Sequence, residues 1–130
     1  MADTTTHSPR APSISPWPNR TAWAVQILLA LVFLASGTAK LIAFAPMVDL
    51  FAQIGVGQWF RIATGLIEVS AALLLLKRPT AWIGAGLIVC TMIGATLTHL
   101  FVVPSSPMGA LVLGALAAVV LFLRRPGRTA

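Results

Sequence analysis

Four ionisable residues, Lys40, Arg61, Glu68 and His99, lie within or at the ends of long apolar runs of this sequence. A charge at the centre of a membrane helix costs about 2.5–3.5 kcal/mol on insertion scales, so such residues usually face a partner or a polar cavity. An ammonium, a carboxylate and an imidazole in the outer half of a membrane bundle could hold a small ligand, such as a quinone head group, or carry protons. These residues are therefore predicted to form a polar pocket.

Helical spacing predicts which of these side chains face one another. Small and polar residues share one face of the second apolar run: Arg61, Thr64, Gly65, Glu68 and Ala72. Because this face is small and polar, we expect it to point towards other helices. On the first run, one face carries Phe33, Ser36, Gly37 and Lys40. We therefore predict a Lys40–Glu68 pair between the two helices.

Each candidate also has a purely structural interpretation. Lys40 can extend its ammonium to the membrane surface, and Arg61 is expected at the interface. Glu68 can be paired or protonated within the protein. His99 can hydrogen-bond to a neighbouring helix near the surface. The sequence contains no Ser/His/Asp set, phosphate-binding loop, dinucleotide-binding glycine motif or metal-ligand spacing, so no catalytic residue and no metal site is predicted.

Composition places the chain in a membrane. Of 130 residues, 58% are hydrophobic and 9% are charged, whereas a soluble domain is about 25% charged. The mean hydropathy is +0.91. These values exclude a soluble enzyme, a disordered protein and a disulfide scaffold. The net charge of +6 comes from basic residues scattered between apolar runs. This distribution indicates membrane topology and a lipid bilayer as partner, with no nucleic acid.

The apolar runs predict an all-α integral membrane four-helix bundle. Its spans are expected at about residues 21–45, 59–76, 80–103 and 108–123. The segment 46–59 between the first two spans is predicted to hold a short amphipathic helix that lies at the interface or dips into it, with Pro46 in its first turn and Gly55 and Gly57 at its end. These runs predict one membrane domain at 21–124. A disordered cytoplasmic tail, 1–20, which contains His7, precedes it, and a basic tail, 125–130, follows it. A cleaved signal peptide ending near Ala35-Ser36-Gly37 is the competing interpretation of the first run.

Basic residues also predict the orientation. They cluster in the two tails and in the loop between the second and third spans: Arg10, Arg20, Lys77, Arg78, Arg124, Arg125 and Arg128. With four spans these segments share one side, and only Lys40 and Arg61 belong to the other. Since basic residues are retained in the cytoplasm, we expect a multi-pass protein of the cell membrane with both termini cytoplasmic.

Small residues at a spacing of four predict close helix packing in lipid. They are Ala35 and Ala39 in the first span, Gly86, Cys90, Gly94 and Thr98 in the third, and Ala110, Gly114 and Ala118 in the fourth. Cys90 is the single cysteine of the chain, so it cannot form a disulfide within it. We expect it to be a small buried residue.

Sequence segments in a fixed order carry a family resemblance over about residues 22–125. They are FLASGTAKL (33–41), MVDLFAQIGVGQWFR (47–61), TGLIEVSAALLLL (64–76) and MIGATLTHL (92–100). This order resembles the DoxX-like family of small four-helix bacterial membrane proteins. The family pattern has a Lys after a Gly in the first span, which corresponds to Lys40, and a Glu in a G-x-x-E context in the second, which corresponds to Glu68. His99 is the histidine of the Thr-His-Leu segment in the third span. Ala71 stands where the family often has Gly.

The resemblance implies a fold and a choice of functions. The family name comes from a subunit of a thiosulfate:quinone oxidoreductase or terminal quinol oxidase, and the wider superfamily includes assembly or maturation factors. We expect a non-catalytic subunit or assembly factor that contacts a membrane protein partner or forms a homo-oligomer, without a cofactor. The alternative is a redox-linked protein that binds a quinone or small ligand near Lys40, Glu68 and His99. A small transporter is the third possibility.

Overall fold

The computed structural model describes residues 17–127, and the regular structure in that range is entirely helical. Its longer helices, in chain order, are α1 (Trp17–Leu41), α2 (Ala45–Ile54), α3 (Gln58–Leu75), α4 (Ala81–Phe101) and α5 (Met108–Arg124). A single 3-10 turn, Arg78–Thr80, separates α3 from α4. The predicted all-α class is confirmed, and so is the short helix between the first two spans.

Helices α1, α3, α4 and α5 form a closed antiparallel ring. Helix α1 contacts α3, α3 contacts α4, α4 contacts α5, and α5 contacts α1. Short links between successive helices produce this up-and-down arrangement. Each of these four helices contributes to the core, which includes Leu29, Phe33, Leu75, Ile88 and Val120. We call the end where α1 begins and α5 ends the terminal end, and the opposite end the loop end.

Helix lengths fit membrane crossing to different degrees. Between residues 17 and 127, three segments are long and apolar enough to span a bilayer: Asn19–Leu41, Gln58–Leu75 and Arg78–Phe101. Helix α5 is apolar but has 17 residues, so it is about 25 Å long. That is the lower limit for a spanning helix. Three candidate spans are therefore present, and the fourth crossing stays a prediction.

The limits of α1 differ from the predicted span. The helix begins at Trp17, inside the predicted tail, and ends at Leu41, short of the predicted residue 45. A proline is tolerated at position 18 because first-turn N–H groups have no partner within a helix. After Leu41 the chain turns through Ala43, whose φ is 57°. The rest of the predicted N-tail, with His7, and residues 128–130 of the predicted C-tail lie outside the described residues.

Helix α2 begins and ends as the sequence predicts, with a proline in its first turn and a glycine at its end. Pro46 lies in its first turn, and Gly55, with a φ of 81°, donates its N–H to the carbonyl of Phe51. Phe51 is buried and meets Phe60 of α3 edge to face, with the ring centroids 5.7 Å apart. This contact holds α2 against α3 at the loop end.

Two of the predicted small-residue packing faces are wrong. Cys90 and Gly94 of α4 are exposed, and Ala35 of α1 is exposed as well. Helix α4 instead approaches α3 through Gly84, where an added Cβ would lie 2.6 Å from the carbonyl oxygen of Ala71. A spacing of four occurs on every face of a Gly- and Ala-rich helix, so the spacing does not identify the packed face.

The third predicted face, on α5, packs at one position. A Cβ on Gly114 would lie 3.2 Å from the Cβ of Met92 on α4, whereas Ala118 is exposed. Helix α5 therefore packs tightly against α4 at Gly114, in the half of the bundle towards the loop end.

Candidate functional site

Lys40 and Glu68 form an ion pair between α1 and α3. The Nζ atom of Lys40 donates to Oε1 and Oε2 of Glu68 at 3.1 and 3.0 Å, and to Oγ of Ser36 at 2.8 Å. Lys40 is 7% exposed and Glu68 is 3% exposed. The predicted pair is therefore present, and the ammonium is buried rather than extended to the surface.

Two glycines bring the charged side chains together. A Cβ on Gly65 would lie 3.0 Å from both the carbonyl oxygen of Gly37 and the Cβ of Lys40. A Cβ on Gly37 would lie 2.9 Å from the carbonyl oxygen of Gly65. Helical side chains lean towards the N-terminus of their own helix. Because α1 and α3 are antiparallel, Lys40 and Glu68 lean towards each other across this glycine contact.

Arg61 has a role that the sequence prediction missed. Its side chain is 7% exposed, its Nη1 donates to the carbonyl oxygen of Lys40, and its Nε donates to Oε1 of Gln58 at 2.7 Å. The Lys40 carbonyl lies in the last turn of α1, where carbonyls lack helical partners. Arg61 therefore caps α1 and joins it to the start of α3.

His99 does not join this cluster. Its Nδ1 lies 2.5 Å from Oγ of Ser105, in the loop that follows α4. Among residues 17–127, no hydrogen bond or ion pair connects His99 with Lys40 or Glu68. The structure thus brings Lys40, Glu68 and Arg61 together, while His99 stabilises its own helical hairpin rather than a contact with a neighbouring helix.

A second buried polar cluster, at the terminal end, was not predicted. The amide of Gln26 is fully buried; its Nε2 donates to the Leu75 carbonyl at 2.7 Å, and its Oε1 accepts from Nε of Arg124 at 2.7 Å. Arg124 also donates to Oδ1 of Asn19 at 2.9 Å, and its guanidinium lies 5.5 Å from the ring centre of Trp23. The signal in the sequence is Gln26, an amide inside an apolar run.

Two cavities lie along the α4–α5 side of the bundle. One of about 380 Å³, at the terminal end, is lined by residues that include Arg78, Trp82 and Arg124. The other, about 290 Å³ and almost entirely apolar, lies between α4 and α5 around Met92 and Gly114. Neither is lined by Lys40, Glu68 or His99, so the polar pocket stays a prediction.

The chemistry open to these clusters is limited. Across the part of the chain that the structure describes, no group of three or more His, Cys, Asp or Glu side chains lies close enough together to hold a metal ion. Cys90 is exposed on α4, contrary to the expectation of burial. The Lys40–Glu68 cluster is hydrogen-bonded within the protein, and it can hold α1 against α3.

Comparison with known proteins agrees with the fold. The model of the DoxX-like family (DoxX_2) matches residues 24–123, which extend from the first turns of α1 almost to the end of α5. No curated protein and no solved structure matches the chain significantly. The family match includes both helices of the Lys40–Glu68 pair and the short α2 between them. The chain therefore belongs to the DoxX-like family.

Proposed function

We propose that this chain is a non-catalytic subunit or assembly factor that acts through helix contacts with another membrane protein. The observation that supports the proposal most is the closed Lys40–Glu68 cluster. Both carboxylate oxygens accept from Nζ of Lys40, and the third bond of the ammonium goes to Ser36. Lys40 and Glu68 are therefore bonded to each other and do not face a ligand. Contact between helix surfaces is then the remaining way in which the chain can act on another membrane protein.

The outer side of α4 is a suitable place to test this proposal. Cys90 and Gly94 are exposed there, and an added Cβ on Gly94 would meet nothing within 4 Å. A larger residue at position 94 therefore changes the surface without disturbing the bundle. Small residues let a neighbouring helix approach closely in lipid.

The experiment is native gel electrophoresis of the full chain extracted from its own membranes in mild detergent, followed by mass spectrometry. We expect a complex well above the 13.7 kDa chain that contains a second membrane protein. Gly94→Leu should reduce this complex. Gly109→Leu is the matched control, because the surroundings of Gly109 are equally open. A wild-type chain that migrates alone, or only with copies of itself, would contradict a role as subunit or assembly factor.

A redox-linked protein that binds a quinone is the second candidate. The observation that favours it is the apolar cavity between α4 and α5, whose lining includes Thr96 and Leu97. These residues are within one helical turn of His99, so a quinone ring near His99 could extend its tail into the cavity. Photo-crosslinking with an azidoquinone should then label α4, and His99→Ala should reduce the labelling, whereas Glu68→Gln should not, because Glu68 does not line this cavity. Unchanged labelling in His99→Ala would reject this candidate.

The proposed orientation, with both termini in the cytoplasm, rests on basic residues at the terminal end. Arg20, Lys77, Arg78, Arg124 and Arg125 are all at that end, whereas Lys40 and Arg61 are at the loop end. In a Cys90→Ala background, Ser105→Cys should react with a membrane-impermeant maleimide on intact cells. Lys77→Cys should react only after the cells are opened. The reverse pattern would invert the topology.

A further inference from the structure

We propose that the terminal-end cavity binds the phosphate of an anionic phospholipid head group. The cavity has a volume of about 380 Å³ and lies between the start of α4 and the end of α5. Its lining combines three arginines with a tryptophan and small or apolar residues: Arg78, Arg124, Arg125, Trp82, Pro79, Leu123, Pro126 and Gly127. The site is separate from the Lys40–Glu68 cluster and does not depend on the proposed partner.

The strongest observation is an incompletely bonded guanidinium. Arg124 is 8% exposed, and its Nε and Nη1 donate to Gln26 and Asn19. Its Nη2 is buried and has no hydrogen-bond partner among residues 17–127. A buried donor without a partner is costly, and it is most costly on a charged group. Arg124 lines the cavity, so a shift of its side chain that uncovers Nη2 would give this donor an acceptor on a bound anion.

Few acidic side chains are present in the described part of the chain. In that part, the acidic side chains are Asp49 of α2 and Glu68, and Glu68 is bonded to Lys40. Arg78 and Arg125 add positive charge to the lining next to Arg124. A phosphate matches this arrangement, since its oxygens accept from the planar donors of arginine in pairs.

The surroundings favour a phosphate carried by a lipid. The cavity lies at the ends of the helices, which is the depth of the head groups when α4 crosses the bilayer. Trp82 lines it and Trp23 lies under Arg124, and tryptophan is the residue type that occupies this layer. Basic pockets between helix ends are typical sites for anionic head groups.

The test is native mass spectrometry of the detergent-solubilised full chain with phosphatidylglycerol or phosphatidylcholine. We expect a one-to-one adduct with phosphatidylglycerol only. Arg124→Gln and Arg78→Gln should weaken it about tenfold, the usual order for lost hydrogen bonds to a charged group. Lys77→Gln is the matched control, because Lys77 is an exposed neighbour of Arg78 outside the cavity lining. Arg78→Gln keeps the test valid if Arg124→Gln unfolds the bundle, which circular dichroism reports.

Three results would overturn the proposal. The first is equal adducts with the two lipids. The second is an adduct that survives in both folded arginine variants. The third is displacement of the lipid by millimolar inorganic phosphate, to the same extent in the wild type and in the Lys77→Gln control. That displacement would identify a site for the free ion instead.

Discussion

The two buried polar clusters of this bundle differ in their charge balance. At the loop end, the ammonium of Lys40 is bonded to both oxygens of Glu68. At the terminal end, the guanidinium of Arg124 donates to the neutral amides of Gln26 and Asn19, and it has no acidic partner among residues 17–127. Both cations are more than nine-tenths buried, with 7% and 8% of their surfaces exposed. Burial alone therefore does not distinguish them, but their partners do.

The difference separates a structural group from a binding group. A buried pair satisfies itself, and removing one member leaves an uncompensated charge. A buried cation without an acid still needs an acceptor, which an external anion can provide. Lys40 and Glu68 therefore satisfy each other inside the fold, while Arg124 is the better candidate for contact with a ligand.

The largest expected effect comes from breaking the first cluster. Lys40→Met leaves the Glu68 carboxylate buried without its partner, and we expect a loss of about 3–5 kcal/mol in the free energy of unfolding. Unfolding in SDS, followed by circular dichroism, measures the loss. The double variant Lys40→Met/Glu68→Leu should recover most of it, because no charge is then left behind. A double variant as unstable as the single one would show that the pair is not the cause.

A smaller effect is expected from separating the helices that hold the pair. Gly65→Ala places a Cβ 3.0 Å from the Gly37 carbonyl oxygen, and the shift that follows should cost about 1–3 kcal/mol. The same unfolding measurement applies. Gly94→Ala is the control and should be neutral or slightly stabilising, because its added Cβ meets nothing within 4 Å. Equal losses in the two variants would contradict the close α1–α3 contact.

The smallest effect is expected at the terminal end, and it sharpens the comparison most. Arg124→Leu removes a buried cation together with its bonds to Gln26 and Asn19, and it leaves no opposite charge unpaired among the described residues. We expect a loss of about 1 kcal/mol in the free energy of unfolding, because the unpaired Oε1 of buried Gln26 is costly while removal of a buried cation with an unbonded Nη2 offsets part of that cost. A loss as large as that of Lys40→Met would mean that Arg124 is bonded more strongly than the described residues account for.

Helical periodicity explains what the sequence could predict. It placed Lys40 and Glu68 on facing sides of their helices because the phase of each helix is fixed by its apolar run. It could not place Arg61 or Arg124, since their partners depend on where other helices end. Arg61 donates to a carbonyl in the last turn of α1, and Arg124 meets an amide 98 positions away. Such contacts follow from tertiary structure, not from local spacing.

The position of Lys40 and Glu68 along the chain has a consequence for biosynthesis. The two residues are 28 positions apart, so at about 5–20 residues per second the carboxylate leaves the ribosome seconds after the ammonium. During that interval α1 reaches the translocon with an unpaired lysine near its end. A nascent chain truncated before Glu68 should therefore integrate α1 less firmly than one truncated after α3, as glycosylation-site mapping would report. That result would show that the second long helix completes the membrane insertion of the first.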